Sequence, residues 1–135
     1  MKKTILKYLS TKWPAILWSA IIFLLLAVRS PKLPEEKLIF IPHLDKFVHA
    51  FLFFVFVFLW GSYFAERKNN SSQKNKLVLL AITGTVYGII MEYVQLYTGR
   101  DFDIWDMVAD GVGAFLCLLL WQKISPGRNR GRNQN

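Results

Sequence analysis

The sequence predicts an all-α protein, an integral membrane bundle of four transmembrane helices. Three observations lead there. Apolar residues make up 53% of the 135-residue chain and come in long blocks, not in the stripes of a helix lying on a soluble core. Lysine and arginine are concentrated outside those blocks and alternate in density from one connector to the next. The ionisable residues that do enter the blocks gather toward one end of three of them. The net charge of +8 does not indicate nucleic acid, because no basic groove with interleaved stacking residues can be traced. Beside membrane helices, the same excess is a topology signal and an attraction to anionic lipid. The one cysteine, Cys117, lies in an apolar run and has no intrachain partner, so it does not report a redox compartment.

Residues 1–12 form a basic tail carrying Lys2, Lys3, Lys7 and Lys12. Residues 13–28 are apolar and end at Arg29, with no small-x-small cleavage motif after them. They are expected to stay in the chain as the first helix. The run is short for a span of about 20 residues. Extension upstream through Tyr8 and Leu9, with Lys12 and Arg29 reaching the two interfaces, would complete it. Residues 30–44 form a connector interrupted by Pro31, Pro34 and Pro42, with His43 at its surface. The second helix covers 43–64. Asp45 sits in its first turn, where an acid favours the helix dipole, and Trp60 and Tyr63 mark the far interface.

Residues 65–76 are hydrophilic and read as a flexible loop. The third helix covers 77–97, with Gly84 and Gly88 at G-x-x-x-G spacing for close helix approach and Gly99 as its terminating residue. After a short loop, the fourth helix runs from near Asp103 to Trp121, with Gly111, Gly113 and Ala114 as a small-residue face. Residues 122–135 form a second basic tail. The membrane domain is therefore 13–121, flanked by the two tails. Most basic residues fall on the tails and the second loop, and all acids but Glu66 fall on or near the opposite side. The positive-inside rule then puts both termini in the cytoplasm.

The polar side carries the candidate chemistry. Asp45 and His49 are i, i+4; Glu92 and Gln95 are i, i+3; Asp103, Asp106 and Asp110 follow i, i+3 and i, i+4. At 1.5 Å rise per residue, His49, Glu92 and Asp110 all sit roughly 6–10 Å below the helix ends. A charge facing lipid at that depth costs several kcal/mol, so these groups should face one another inside the bundle. His49 can serve as a general base or as a structural histidine bonded to Asp45 or Glu92. Glu92 can be a general acid, the carboxylate that orients His49, or a tie to Gln95, Arg100 or Tyr93. Arg100 can clamp a phosphate with its planar fork or pair with Asp101 or Asp103. Asp106 fits either a first-turn acid or a site carboxylate, and Asp101 and Asp103 read as solvated or capping residues. Glu92, Asp106, Asp110 and His49 offer oxygen and nitrogen donors suited to a divalent ion. No H-E-x-x-H signature is present, so the sequence assigns no metal ligand.

These residues resemble the VanZ-like membrane proteins. The resemblance runs from the second helix to the fourth, and weakly into the first. It rests on Asp45-Lys46-x-x-His49, Glu92-x-x-Gln95, Gly99-Arg100, and Asp106 with the Gly113-Ala114 pair. Members often carry Asn where this chain has Asp110, and a second Gly near Cys117. The resemblance implies a small protein of the bacterial cytoplasmic membrane, linked to resistance to the glycopeptide teicoplanin or to cell-envelope modification. It implies no settled mechanism. Joined to the residue reading, it gives an extracytoplasmic polar site for a membrane lipid or a lipid-linked cell-wall precursor. His49 and Glu92 would be its catalytic pair, and Asp45, Lys46, Gln95, Arg100, Asp106 and Asp110 would line it. A non-catalytic membrane protein whose polar cluster only fixes the bundle is the alternative. A small proton-coupled transporter is a third reading, which a single four-helix bundle without an inverted repeat disfavours.

Overall fold

A computed structural model describes residues 8–28, 44–65 and 72–124. They form four α-helices: α1 (Lys12–Ala27), α2 (Leu44–Ala65), α3 (Gln73–Tyr97) and α4 (Ile104–Ile124). Both basic tails for the most part, the proline-rich connector with His43, and most of the second loop lie outside the described residues. Three helices, α2, α3 and α4, are long and apolar enough to cross a membrane. Many of their large apolar side chains point outward, among them Phe51, Ile90, Val112 and Leu119. Exposed apolar surface on that scale is compatible with a lipid environment.

The first helix departs from its expected length. Tyr8 and Leu9 are helical, but the helix breaks at Ser10 and Thr11, and α1 starts only at Lys12. Pro14 explains the break. It has no N–H to offer the Ser10 carbonyl, and its ring would press on that carbonyl if the helix continued upstream. In the first turn of a helix that starts at Lys12 the missing donor costs nothing. At 16 residues, α1 is about 24 Å long, less than the roughly 30 Å of a bilayer core. At the other ends the helices exceed the apolar runs. The α3 helix begins at Gln73, so Lys74, Asn75 and Lys76 form its exposed or half-exposed polar first turn.

Contacts along the helices fix their directions. His49 meets Asp110 near the start of α2 and α4, and Phe58 meets Trp121 near their ends at 6.1 Å between ring centroids, so these two helices run parallel. Gly88 lies against Asp110 and Gly84 against Ala114, so α3 is antiparallel to both. The core between them holds Phe53, Phe56, Val57, Ala81, Met91, Ala114, Cys117 and Trp121. Cys117 is fully buried among protein side chains. The α1 helix packs on α2 and α3. It is held by three hydrogen bonds: Trp18 Nε1 donates to the Leu52 carbonyl, Tyr87 Oη to the Ser19 carbonyl, and Trp60 Nε1 to Ser19 Oγ.

Candidate functional site: a buried polar cluster at one end of the bundle

The α3–α4 turn sets the geometry of the polar end. At the end of α3, Gly99 adopts a positive φ of 81°, which a side chain would strain. The Arg100 amide donates back to the Gln95 carbonyl at 3.0 Å. The chain reverses within a few residues, and Asp103 opens α4: its Oδ1 accepts the Trp105 amide at 2.8 Å, as an N-capping acid does. Glu92 reaches across the turn, and its Oε2 accepts the Asp103 amide at 3.2 Å. A fully buried glutamate on α3 thereby satisfies a backbone donor at the start of α4.

On α2, Lys46 extends between two acids of the opposite helix segment. Its Nζ lies 2.5 Å from Asp103 Oδ2 and 2.9 Å from Asp106 Oδ1. The ammonium and the Trp105 amide together hold the Asp103 carboxyl below its usual range. One turn further along α2, His49 is 1% exposed. Its Nδ1 lies 2.9 Å from Asp110 Oδ1, and its Nε2 lies 3.8 Å from Asp106 Oδ2. This approach depends on a helix contact without a side chain: a Cβ on Gly113 would overlap the main-chain carbonyl of Ala50, the residue after His49.

The structure thus brings together Lys46, His49, Asp106 and Asp110, and sets Asp45 beside His49 and Asp106 at the exposed edge. Glu92 and Gln95 are buried at the same end. The expected pairing of His49 with Glu92 is replaced by His49 with Asp110. Lys46, expected to line the site, is engaged by two carboxylates. Arg100 is half-buried at the turn and makes no ion pair with Asp101 or Asp103. Asp103, read from sequence as solvated or capping, does cap α4 and also anchors Lys46. The i, i+3 spacing to Asp106 was the signal that could have placed it in the cluster. Four buried polar atoms of the cluster have no hydrogen-bond partner among the described residues: His49 Nε2, Glu92 Oε1, Gln95 Nε2 and Asp110 Oδ2.

Fold and site together define a helical protein, compatible with a membrane, in which ionisable side chains of three helices meet at one end. The chain is similar to an uncharacterized protein of Schizosaccharomyces pombe, with 31% identity over 100 residues, 73% of this chain and 59% of that protein. The matched region thus spans less than two thirds of the relative's length, and the relative's description carries no activity. No protein-family profile matches the chain, and no solved structure does.

Proposed function

We propose that the chain is a small multi-pass membrane protein that binds or processes an anionic lipid, or a lipid-linked precursor, at a polar site on the outer face of the membrane. The observation that carries this reading is the set of buried polar atoms left without partners among the described residues around His49 and Asp110. A cluster that served only to fasten helices would leave few such atoms, since each costs about 1–3 kcal/mol and no water competes for them in a bilayer core. The exposed aromatics Tyr93, Tyr97, Phe102 and Trp105 surround this end, as residues of a membrane interface do. Arg100, which has no ion pair among the described residues, is a cation at the rim suited to an anionic headgroup. The basic tails support a cytoplasmic location for both termini.

The likeness to VanZ-like proteins adds a bacterial envelope role, with glycopeptide resistance as its phenotype. A yeast protein is similar to the chain, with 31% identity over 100 residues, so the lipid headgroup, common to both settings, is the ligand class this reading rests on. The second reading, a structural cluster, is favoured by Lys46 and Glu92. Their bonds to Asp103 and Asp106 tie α2 and α3 to the start of α4.

Mass spectrometry of lipids that co-purify with the full chain separates the two. Enrichment of an anionic lipid over the bulk membrane, reduced in Arg100→Ala and His49→Ala while both variants insert normally, supports the site. Bulk lipid composition in the wild type, or variants that are simply lost from the membrane, would leave the cluster structural.

A further inference from the structure

The contact between His49 and Asp110 decides which imidazole nitrogen is available. An imidazole that donates its Nδ1–H to a carboxylate keeps its lone pair on Nε2, and Nδ1 is the nitrogen that faces Asp110, at 2.9 Å. Nε2 is buried without a hydrogen-bond partner among the described residues and faces Asp106 Oδ2 at 3.8 Å. Asp45, one turn before His49, completes the group: one donor atom from each of Asp45, His49 and Asp106 lies within 4.8 Å of the others. We propose that Asp45, His49 and Asp106 bind a divalent transition-metal ion of the Zn2+ or Mn2+ kind, with Asp110 orienting His49 from behind.

Three features argue for a metal. The first is the arrangement behind the histidine. Metal-binding histidines almost always give their second ring nitrogen to a carboxylate or carbonyl, which fixes the tautomer and strengthens the donor, and Asp110 stands in that position. The second is charge. Among the described residues, five carboxylates (Asp45, Glu92, Asp103, Asp106 and Asp110) converge on this end, and the ammonium bonded to them is that of Lys46, with Arg100 at the rim. Lys46 holds Asp106 through Oδ1 and leaves Oδ2 turned toward His49, so the lysine and a metal can share that carboxylate. The third is donor type. One imidazole and two carboxylates suit zinc or manganese better than calcium, which takes oxygen ligands alone. Metal–ligand bonds of about 2.0–2.2 Å bring donor atoms to roughly 3–3.5 Å from one another, so a set spread over 4.8 Å must close by up to about 1.3–1.8 Å. Asp45 is exposed and can supply much of that movement by rotating. The same exposed edge provides an entry path and leaves coordination positions for water or an oxygen of a bound ligand. The metal site does not depend on the lipid reading.

The test uses the full chain purified in detergent, with any histidine tag removed, stripped with chelator and titrated with Zn2+, Mn2+ or Co2+. The wild type should retain one metal ion per chain by elemental analysis. Bound Co2+ should show the visible absorption of a nitrogen–oxygen site. Asp45→Asn and Asp106→Asn should each weaken binding at least about tenfold, and Asp110→Asn about 10–100-fold. Asp101→Asn, an exposed acid outside the group, should leave affinity unchanged. No stoichiometric metal in the wild type, or equal affinity in the wild type, Asp45→Asn and Asp106→Asn, would overturn the proposal. If Asp106→Asn loses helical structure, Asp45→Asn decides alone, since an exposed side chain can change without disturbing the core. Loss of lipid binding with the metal retained would count against the lipid reading only.

Discussion

Gly88 on α3 and Asp110 on α4 meet with no space for a side chain between them. A Cβ on residue 88 would stand 2.7 Å from Asp110 Cβ and 2.9 Å from its Cγ, closer than carbon atoms can pack. The bare backbone of α3 therefore covers the carboxylate that holds His49. Helix approach and site geometry share this one contact.

Glycine substitutions should consequently rank by what the new methyl meets. Gly88→Ala displaces Asp110 and should cost about 1–3 kcal/mol, as overpacking does. Gly113→Ala should cost more, because its methyl overlaps the Ala50 main-chain carbonyl and α2 and α4 must part. At Gly84 and Gly111 the nearest atoms are 3.4 and 3.5 Å away, so alanine fits and gains helix propensity. Those two variants should be neutral or slightly stabilised. Reversible unfolding in detergent reads the order; equal losses at all four positions would refute it.

Lys46→Met keeps the aliphatic length of the side chain and removes its charge. Asp106 is buried and loses the cation on its Oδ1, while half-exposed Asp103 can turn to solvent. The variant should melt a few degrees lower in detergent. Lys46→Arg should recover part of the loss. An unchanged melting temperature in Lys46→Met would mean that the ion pair contributes nothing to the bundle.

Much of this arrangement was legible in the residues. Apolar block lengths placed α2, α3 and α4 to within a few residues, because a continuous apolar run leaves a helix few alternatives. The i, i+3 and i, i+4 spacings put each helix's polar groups on one face and at a common depth, and the structure joins His49 to Asp110 there. Spacing along one helix does not specify its rotation against the next. That rotation follows from contacts such as Gly113 on Ala50 and Gly88 on Asp110, and it decides that His49 meets Asp110 while Glu92 turns to the Asp103 amide. The early end of α1 was legible in Pro14, a local signal that outweighs the apolar character of Tyr8 and Leu9.

Acid should loosen the α2–α4 contact through Asp103. Its folded-state carboxyl sits below the usual range because Lys46 and the Trp105 amide favour the anion. A depressed carboxyl contributes stability that is fully present above its unfolded value, about 3.9, and that is lost as pH falls through the lower folded value. Melting in detergent between pH 6 and about pH 3 should therefore show a decline below about pH 4 that Asp103→Asn makes shallower. Identical acid profiles in wild type and Asp103→Asn would assign the decline to other carboxylates.

Glu92 offers a sharper separation of shape from charge. Its Oε2 accepts the Asp103 amide, a task that a neutral amide oxygen performs equally well, and the glutamate itself is fully buried. Glu92→Gln should therefore fold with near wild-type stability. Glu92→Ala removes the acceptor from a backbone donor at the start of α4 and opens a buried space, and should cost about 1–3 kcal/mol. If Glu92 also handles a proton or shapes the field around a bound ion, Glu92→Gln should lose ligand or metal affinity while keeping its melting temperature. Unfolding midpoints compared with binding curves for the two variants decide between the roles. Parallel losses of stability and binding in Gln and Ala would confine Glu92 to holding the α3–α4 turn.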